Sequence, residues 1–263
     1  MRMTAKRIVT AALRRLNPSF YRKKTYQGRL ISVMNGPYPA SVYKNFLKLI
    51  VESDHDYFVD FQHPPKVGRE LACQWFVRHD IDTPNCLQQL PLLLDIALDF
   101  DIRPACFLRV GCDAYDLSLA QSVIRSYSGS GIVFGLHSEC YLDDDWDSRL
   151  AREVNLFKDV LGFQPIAVNA HGYGQYRIDT RLDFYKGLNA GRALAHGFTF
   201  TDVGNPPRDY EVQVQDCHSS GSSPEHNDFR AERRQVLSDF INLPPAGLYK
   251  NAILLTHPGY WTE

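Results

Sequence analysis

The chain lacks any apolar run approaching the roughly 18 residues that a membrane-spanning helix needs. It also lacks an excess of charge: 29 Lys+Arg stand against 30 Asp+Glu, for a net charge of -1. A polycation built for nucleic acid is thereby excluded. Cysteine is sparse. The six residues Cys73, Cys86, Cys106, Cys112, Cys140 and Cys217 include no C-x-x-C pair, which argues against a zinc ribbon or a thioredoxin motif. Cys73 and Cys106 sit in the apolar runs ACQWF and PACFL, so buried free thiols of a cytosolic protein are the expectation. No repeat is visible, which argues against solenoids and propellers. No G-x-S-x-G, P-loop or H-E-x-x-H occurs. Gly129, Gly131 and Gly135 precede an apolar run instead of opening a helix after one, so the mechanism of a dinucleotide fingerprint is missing.

What is present is enough to fold. Hydrophobic residues make up 44% of the 263 and aromatic residues 12%, so a full core can be buried. The length suits one α/β barrel. Residues 1–70 form a preamble and 71–263 the main domain. The preamble opens on a basic stretch carrying Arg2, Lys6, Arg7, Arg14, Arg15, Arg22, Lys23 and Lys24. On a helix, Ile8, Val9, Ala12, Leu13 and Leu16 share one face. It reads as a solvated helix packed on the domain or as a peripheral contact with an anionic membrane surface. Arg14 and Arg15 interrupt its apolar stretch and no cleavage site follows, so a cytoplasmic location is expected. A second helix is expected around 39–53, then the short apolar stretch YFVDF at 57–61.

From there the pattern becomes regular. Apolar runs at 72–77, 104–110, 131–136, 165–170, 198–203 and 252–256 alternate with longer segments at 85–101, 114–127, 144–161, 176–192 and 228–241. Strand–helix alternation predicts a parallel sheet with helical crossovers, in an α/β fold, with a barrel favoured over an open sheet. Residues 204–227 break the rhythm. Tyr210, Val212 and Val214 alternate as in an extra hairpin or edge strand, and a Ser/Gly-rich loop follows that reads equally as a substrate lid or a plain surface loop.

The chemistry collects where the runs end. They lead into Arg78-His79-Asp80-Ile81-Asp82, His137-Ser138-Glu139-Cys140-Tyr141, His171-Gly172 and His257-Pro258-Gly259. In parallel α/β folds the carboxyl ends of the strands converge on the active site. Asp80 and Asp82, two apart, share a strand face. Two such carboxylates repel unless a proton or a cation neutralises the pair, and a mixed Asp/His set suits zinc or a similar divalent ion. The competing structural role for Asp82 is to cap the helix entered at Thr83-Pro84. His137 and His257 read as functional, and His171 is left open. His79 faces the other way by parity and reads as structural, whereas Arg78 falls on the Asp face, as a charge partner unless a bulge turns it out. His55, His63, His196, His218 and His226 sit in polar or loop contexts and read as solvated. Asp143, Asp144 and Asp145 precede a helical segment and read as acidic capping.

In order, the segments RHDID, GLHSE, AHG and LLTHP resemble motifs of the polysaccharide deacetylase superfamily, closest to a divergent branch whose first motif reads RHD-x-D. The resemblance covers roughly residues 70–263. It implies a distorted (β/α) barrel, often of seven strands, and the first 70 residues are expected to pack on it. It also implies a hydrolase that removes N- or O-acetyl groups from a sugar or polysaccharide precursor, acting on non-peptide C–N bonds in the first case. By that likeness Asp80 is the catalytic base and His257 the general acid, while Asp82 and His137 bind one divalent metal, zinc first, with cobalt and nickel as alternatives. The sequence departs from the family where a further histidine would follow His137 by four residues: Tyr141 stands there. The third ligand is then His171, Glu139 or Tyr141, with His171 preferred. Tyr141, Tyr173 and Trp261 follow the motifs and would either stack on sugar rings or pack. Three alternatives remain: a deformylase or other amidohydrolase on a nucleotide- or lipid-linked sugar, a metal phosphoesterase, and a non-catalytic carbohydrate-binding protein.

Overall fold

The computed structural model describes residues 30–32, 38–53, 56–60, 73–111, 115–140, 143–171, 190–201, 212–216 and 251–263. The basic stretch at 2–24, the helix expected at 228–241, most of that at 176–192, and Cys112, Cys217, Tyr141 and Tyr173 lie outside them. So do His55, His63, His218 and His226.

All six apolar runs become strands, and three further short strands come from the preamble, two of them in the main sheet. In chain order the main sheet uses β1 (Leu30–Ser32), β3 (Asp56–Phe58), β4 (Cys73–Ile81), β5 (Ala105–Arg109), β6 (Val133–Ser138), β7 (Ala167–Ala170), β8 (Phe200–Thr201), β9 (Val212–Gln215) and β10 (Asn251–Thr256). A separate short pair joins β2 (Tyr38–Pro39) to β11 (Trp261–Thr262). The main sheet runs β1-β9-β10-β4-β5-β6-β7-β8, with β3 added beside β4, and every pairing is parallel. β4 is long because the RHDI segment continues the strand. Its first residues pair with β3 and its last four with β5.

Two expectations are corrected. Seven of the nine strands in this sheet come from residues 71–263, but β1 and β3 belong to the preamble, which therefore supplies part of the sheet as well as packing on it. The alternating Val212 and Val214 do not form an edge strand or hairpin. β9 lies between β1 and β10, parallel to both, because β1 covers the edge that the main domain by itself would leave open.

The sheet curls. Asn169 on β7 donates a hydrogen bond to Asp80 on β4 at 3.2 Å, although β5 and β6 lie between them. On a flat sheet three strand spacings set those backbones about 14 Å apart. The register places Asp80, Phe107, Gly135 and Ala167 side by side on the concave face. Below them Phe76, Ala105, Val133 and Ile253 fill the interior. A Cβ on Gly135 would meet the Ala167 carbonyl oxygen at 2.8 Å and the Phe107 ring at 2.9 Å, so only glycine fits between these two strands.

Helices cover the convex face: α1 (Ala40–Val51), α2 (Pro84–Asp99), α3 (Ala120–Ser126), α4 (Trp146–Leu161) and α5 (Ala190–Ala195). Leu90, Leu93, Leu94 and Ala97 form the buried stripe of α2, worth about 1.5–3 kcal/mol for each leucine. Thr83, not Asp82, caps α2: its hydroxyl accepts from the Cys86 N–H at 3.2 Å, with Pro84 in the first turn. That leaves the Asp82 side chain free to face the site. Asp145 caps α4, accepting from Ser148 N at 3.4 Å. Cys73, Cys86, Cys106 and Cys140 are buried free thiols. Among the described residues no helix is long and apolar enough to cross a membrane.

Candidate metal centre

Parallel pairing brings every carboxyl strand end to one rim, and the curl turns those ends toward one another. Asp80 sits near the end of β4 and Asp82 just past it. His137 and Asn169 lie on β6 and β7. His171, Asp216 and His257 follow β7, β9 and β10. All but Asp82, which is half-buried, are nearly inaccessible to solvent.

Asp82, His137 and His171 each offer one ligand atom, and these atoms lie within 4.8 Å of one another. Asp82 Oδ1 is 3.3 Å from His137 Nε2 and 3.6 Å from His171 Nε2. Ligand bonds to zinc of about 2.0–2.2 Å place neighbouring donors of a tetrahedral site about 3.4 Å apart. Asp82 Oδ1 and His137 Nε2 are buried and have no hydrogen-bond partner. Buried polar atoms left this way are costly, and a divalent cation between them satisfies both. The donor set therefore fits a metal such as zinc.

Each member is held from behind. Glu139 accepts from His171 Nδ1 at 2.8 Å, so it supports that ring and stands behind the group, not within it. Arg109 donates to Glu139 at 2.5 Å and to the Asp82 carbonyl at 3.1 Å, fixing the chain where β4 ends. The Tyr115 hydroxyl donates to the Ile81 carbonyl and accepts from the Arg109 N–H, both at 3.0 Å. His137 Nδ1 is bonded to Asn169 Oδ1.

Two flanking pairs complete the rim. Arg78 grips Asp80 with both arms of its guanidinium, Nε at 2.7 Å and Nη2 at 2.5 Å. On the other side Asp216 accepts from His257 Nδ1 at 2.8 Å, from the His257 backbone N–H at 2.6 Å and from Trp261 Nε1 at 2.7 Å. The other ring nitrogen of His257, Nε2, lies 3.5 Å from Asp82 Oδ2. One Asp82 oxygen thus faces His137 and His171 and the other faces His257.

The charges settle accordingly. Burial pushes Asp82 up, but His137, His171 and His257 outweigh it and hold the carboxyl well below the usual range. Burial likewise opposes ionisation of Asp80, and Arg78 overrides it, taking the carboxyl down to about 2. Glu139 also falls to about 2, because His171 and Arg109 outweigh its burial. Burial lowers His171, yet Asp82 and Glu139 raise it above its ordinary value.

The structure brings Asp80, Asp82, His137, His171 and His257 to one rim. His79 points away: its Nδ1 meets Thr256 Oγ1 at 2.6 Å on the opposite face. His196 pairs with Asp147 at 3.0 Å, far from the rim in sequence and on the helical side. Trp261 is buried against Tyr38 and Tyr43 and bonded to Asp216, so it packs and offers no face to a sugar. Sequence reasoning missed Asn169, Arg109 and Asp216. Parity was the available signal for the first two. Asn169 lies two before His171, and Arg109 two after the inward Phe107. Asp216 carried the same signal, two after Val214, but at the end of a strand whose neighbours β1 and β10 only the fold reveals.

No protein-family model matches the chain, and no curated protein matches it. Among solved structures, the arginine decarboxylase of Paramecium bursaria Chlorella virus, bound to agmatine, is similar over 82% of this chain and 68% of its own, at 12% identity and a TM-score of 0.25. A likeness that weak carries no argument about function.

Proposed function

We propose that this protein is a metal-dependent carbohydrate deacetylase, a hydrolase that removes an acetyl group from a sugar or polysaccharide precursor. The observation that carries the reading is the buried, unpartnered pair Asp82 Oδ1 and His137 Nε2 with His171 completing a three-donor set. The order of the RHDID, GLHSE, AHG and LLTHP segments supports it, as does the curled parallel sheet, read here as the distorted (β/α) barrel of that superfamily. A cytoplasmic location, with peripheral membrane contact through the basic stretch at 2–24, suits an intermediate of polysaccharide biosynthesis.

In this mechanism Asp82, His137 and His171 would hold the cation, zinc first. A divalent cation in such a site supplies Lewis acidity: it polarises an acyl carbonyl and lowers the pKa of a bound water from about 15.7 toward about 7. Asp80 accepts the proton of the attacking water. Arg78 keeps Asp80 ionised at neutral pH, so an acceptor is in place. Water adds its oxygen to the acyl carbon, and the bond from that carbon to the sugar nitrogen or oxygen breaks. His257 Nε2 delivers the proton that the leaving group needs. Asp216, bonded to Nδ1, holds the ring in place and stabilises its protonated form.

Elemental analysis of the purified protein tests the reading, with Asp82→Ala and His137→Ala as controls. The expected result is one zinc, cobalt or nickel ion per chain, lost in both variants, followed by acetate release from acetylated amino sugars. Absence of metal after reconstitution overturns it. Release from formylated sugars or phosphate esters in place of acetylated ones moves the assignment to the corresponding alternative.

A further inference from the structure

We infer that Asn169 is a positioning residue that couples the Arg78–Asp80 ion pair to the tautomer of His137 and so sets which nitrogen His137 presents to a metal. The consequence for metal affinity rests on the proposed function, whereas the tautomer itself does not.

Asn169 is fully buried on β7, and the register sets it directly beside His137 on β6 with both side chains on the concave face. Its amide touches two groups. Nδ2 donates to Asp80 Oδ1 at 3.2 Å, and Oδ1 meets His137 Nδ1. Which end of an amide points where is decided by its surroundings, and here they leave one arrangement. Arg78 donates through both arms to Asp80 at 2.7 and 2.5 Å. A guanidinium has donors only, and the carboxylate facing that fork has acceptors only. Turning the amide over would set its carbonyl oxygen against an Asp80 oxygen with no proton between them, in a site closed to water.

With the amide fixed, its oxygen faces His137 and can only accept. His137 Nδ1 must then carry a hydrogen, and in the neutral ring Nε2 carries the lone pair. Free imidazole side chains favour the opposite tautomer, with the hydrogen on Nε2. Nε2 is the atom that faces Asp82 Oδ1 at 3.3 Å and has no hydrogen-bond partner. The three-residue chain Arg78, Asp80, Asn169 thus selects the tautomer that can bind a cation. It also ties the residue that accepts a proton in the proposed reaction to one that holds the metal.

Two measurements on the full-length protein test this. In protein labelled with 15N-histidine and freed of metal, long-range 1H–15N correlations give the His137 tautomer, assigned by its loss in His137→Ala. Competition with a chromophoric chelator gives zinc affinity. The expected wild-type tautomer is Nδ1–H. In Asn169→Leu the hydrogen moves to Nε2 and zinc affinity falls about 10–100-fold. Asn169→Ala carries the same expectation where the leucine variant does not fold. Asn169→Asp, which can still accept, retains Nδ1–H. A wild-type ring whose single hydrogen sits on Nε2, or an unchanged tautomer in Asn169→Leu and Asn169→Ala, overturns the inference. Unchanged zinc affinity in those variants overturns its metal half. Failure of the wild type to bind zinc counts against the proposed function, and the tautomer then decides this inference by itself.

Discussion

Asp216 holds His257 by both ring and backbone: one carboxylate oxygen accepts from Nδ1 at 2.8 Å and the other from the His257 N–H at 2.6 Å. The second oxygen also takes the Trp261 indole N–H at 2.7 Å. A single buried carboxylate thus fixes the proposed acid and the short β11 segment after it. Asp216→Ala strands three donors, and each stranded buried donor costs about 1–3 kcal/mol. The expected outcome is a loss of several kcal/mol, measured by urea denaturation. His257→Ala strands no such set. It is expected to keep the fold while deacetylation slows about 10²–10⁴-fold. Turnover at the wild-type rate in His257→Ala removes His257 from the mechanism.

Gly135 sits on β6 between β5 and β7. A methyl group there meets Ala167 O at 2.8 Å, Phe107 Cε1 at 2.9 Å and Ala167 Cβ at 3.0 Å. Two of these belong to the neighbouring strand and cannot rotate away. Gly135→Ala is expected to destabilise the protein by about 1–3 kcal/mol, as overpacking does. Because the strain lies in the row of Asp80, two residues below His137, zinc affinity is expected to fall as well. An unchanged denaturation midpoint means that the strands separate at little cost.

Much of this was legible in the sequence because two periodicities act together. Alternation along each strand put Asp80 and Asp82 on one face and His79 on the other, and the structure places His79 against Thr256 on the convex side. Parallel pairing then sent every strand end to one rim, so that His137, His171 and His257 meet Asp82. The misses have physical reasons as well. Asn169 has the right parity, but an amide within an apolar run gives no sign of its two partners until the sheet curls. Trp261 was open between stacking on a sugar and packing because it follows His257 closely, and the turn Pro258–Tyr260 decides it by swinging the ring into the core. β9 seemed an edge because its neighbour β1 lies some 180 residues earlier, a separation no local pattern reports.

A protein that binds a metal only when folded is stabilised by it. At a free zinc concentration of 100 times Kd the gain is about 2.7 kcal/mol. Thermal unfolding of metal-stripped protein is expected to shift upward on adding zinc, and a chelator is expected to reverse the shift. Asp82→Ala and His137→Ala each remove one of the two unpartnered buried atoms, and the shift is expected to vanish in both. A shift of equal size in His137→Ala places the zinc elsewhere.

His79 gives the fold a pH limit that is separable from the site. Burial drives its pKa from 6.5 down to about 3, against the pull of Asp80. The folded protein therefore keeps His79 neutral, while the unfolded chain takes up a proton near pH 6.5. The stability this contributes is complete above pH 6.5 and is lost as pH falls from there toward about 3, at up to about 1.4 kcal/mol per pH unit. The depressed carboxyls act lower. Asp80 and Glu139 titrate from ordinary values of 3.8 and 4.5 down to about 2, so their contribution is lost only below about pH 4.5. Between pH 6.5 and 4.5 the comparison of wild type with His79→Phe isolates His79, since every other ionisable group is common to both. The variant is expected to be less stable at pH 7, because Thr256 loses its buried partner. Its stability is also expected to fall less steeply over that window, measured as the denaturation midpoint against pH. Parallel curves would show that the buried ring takes up its proton without unfolding the sheet.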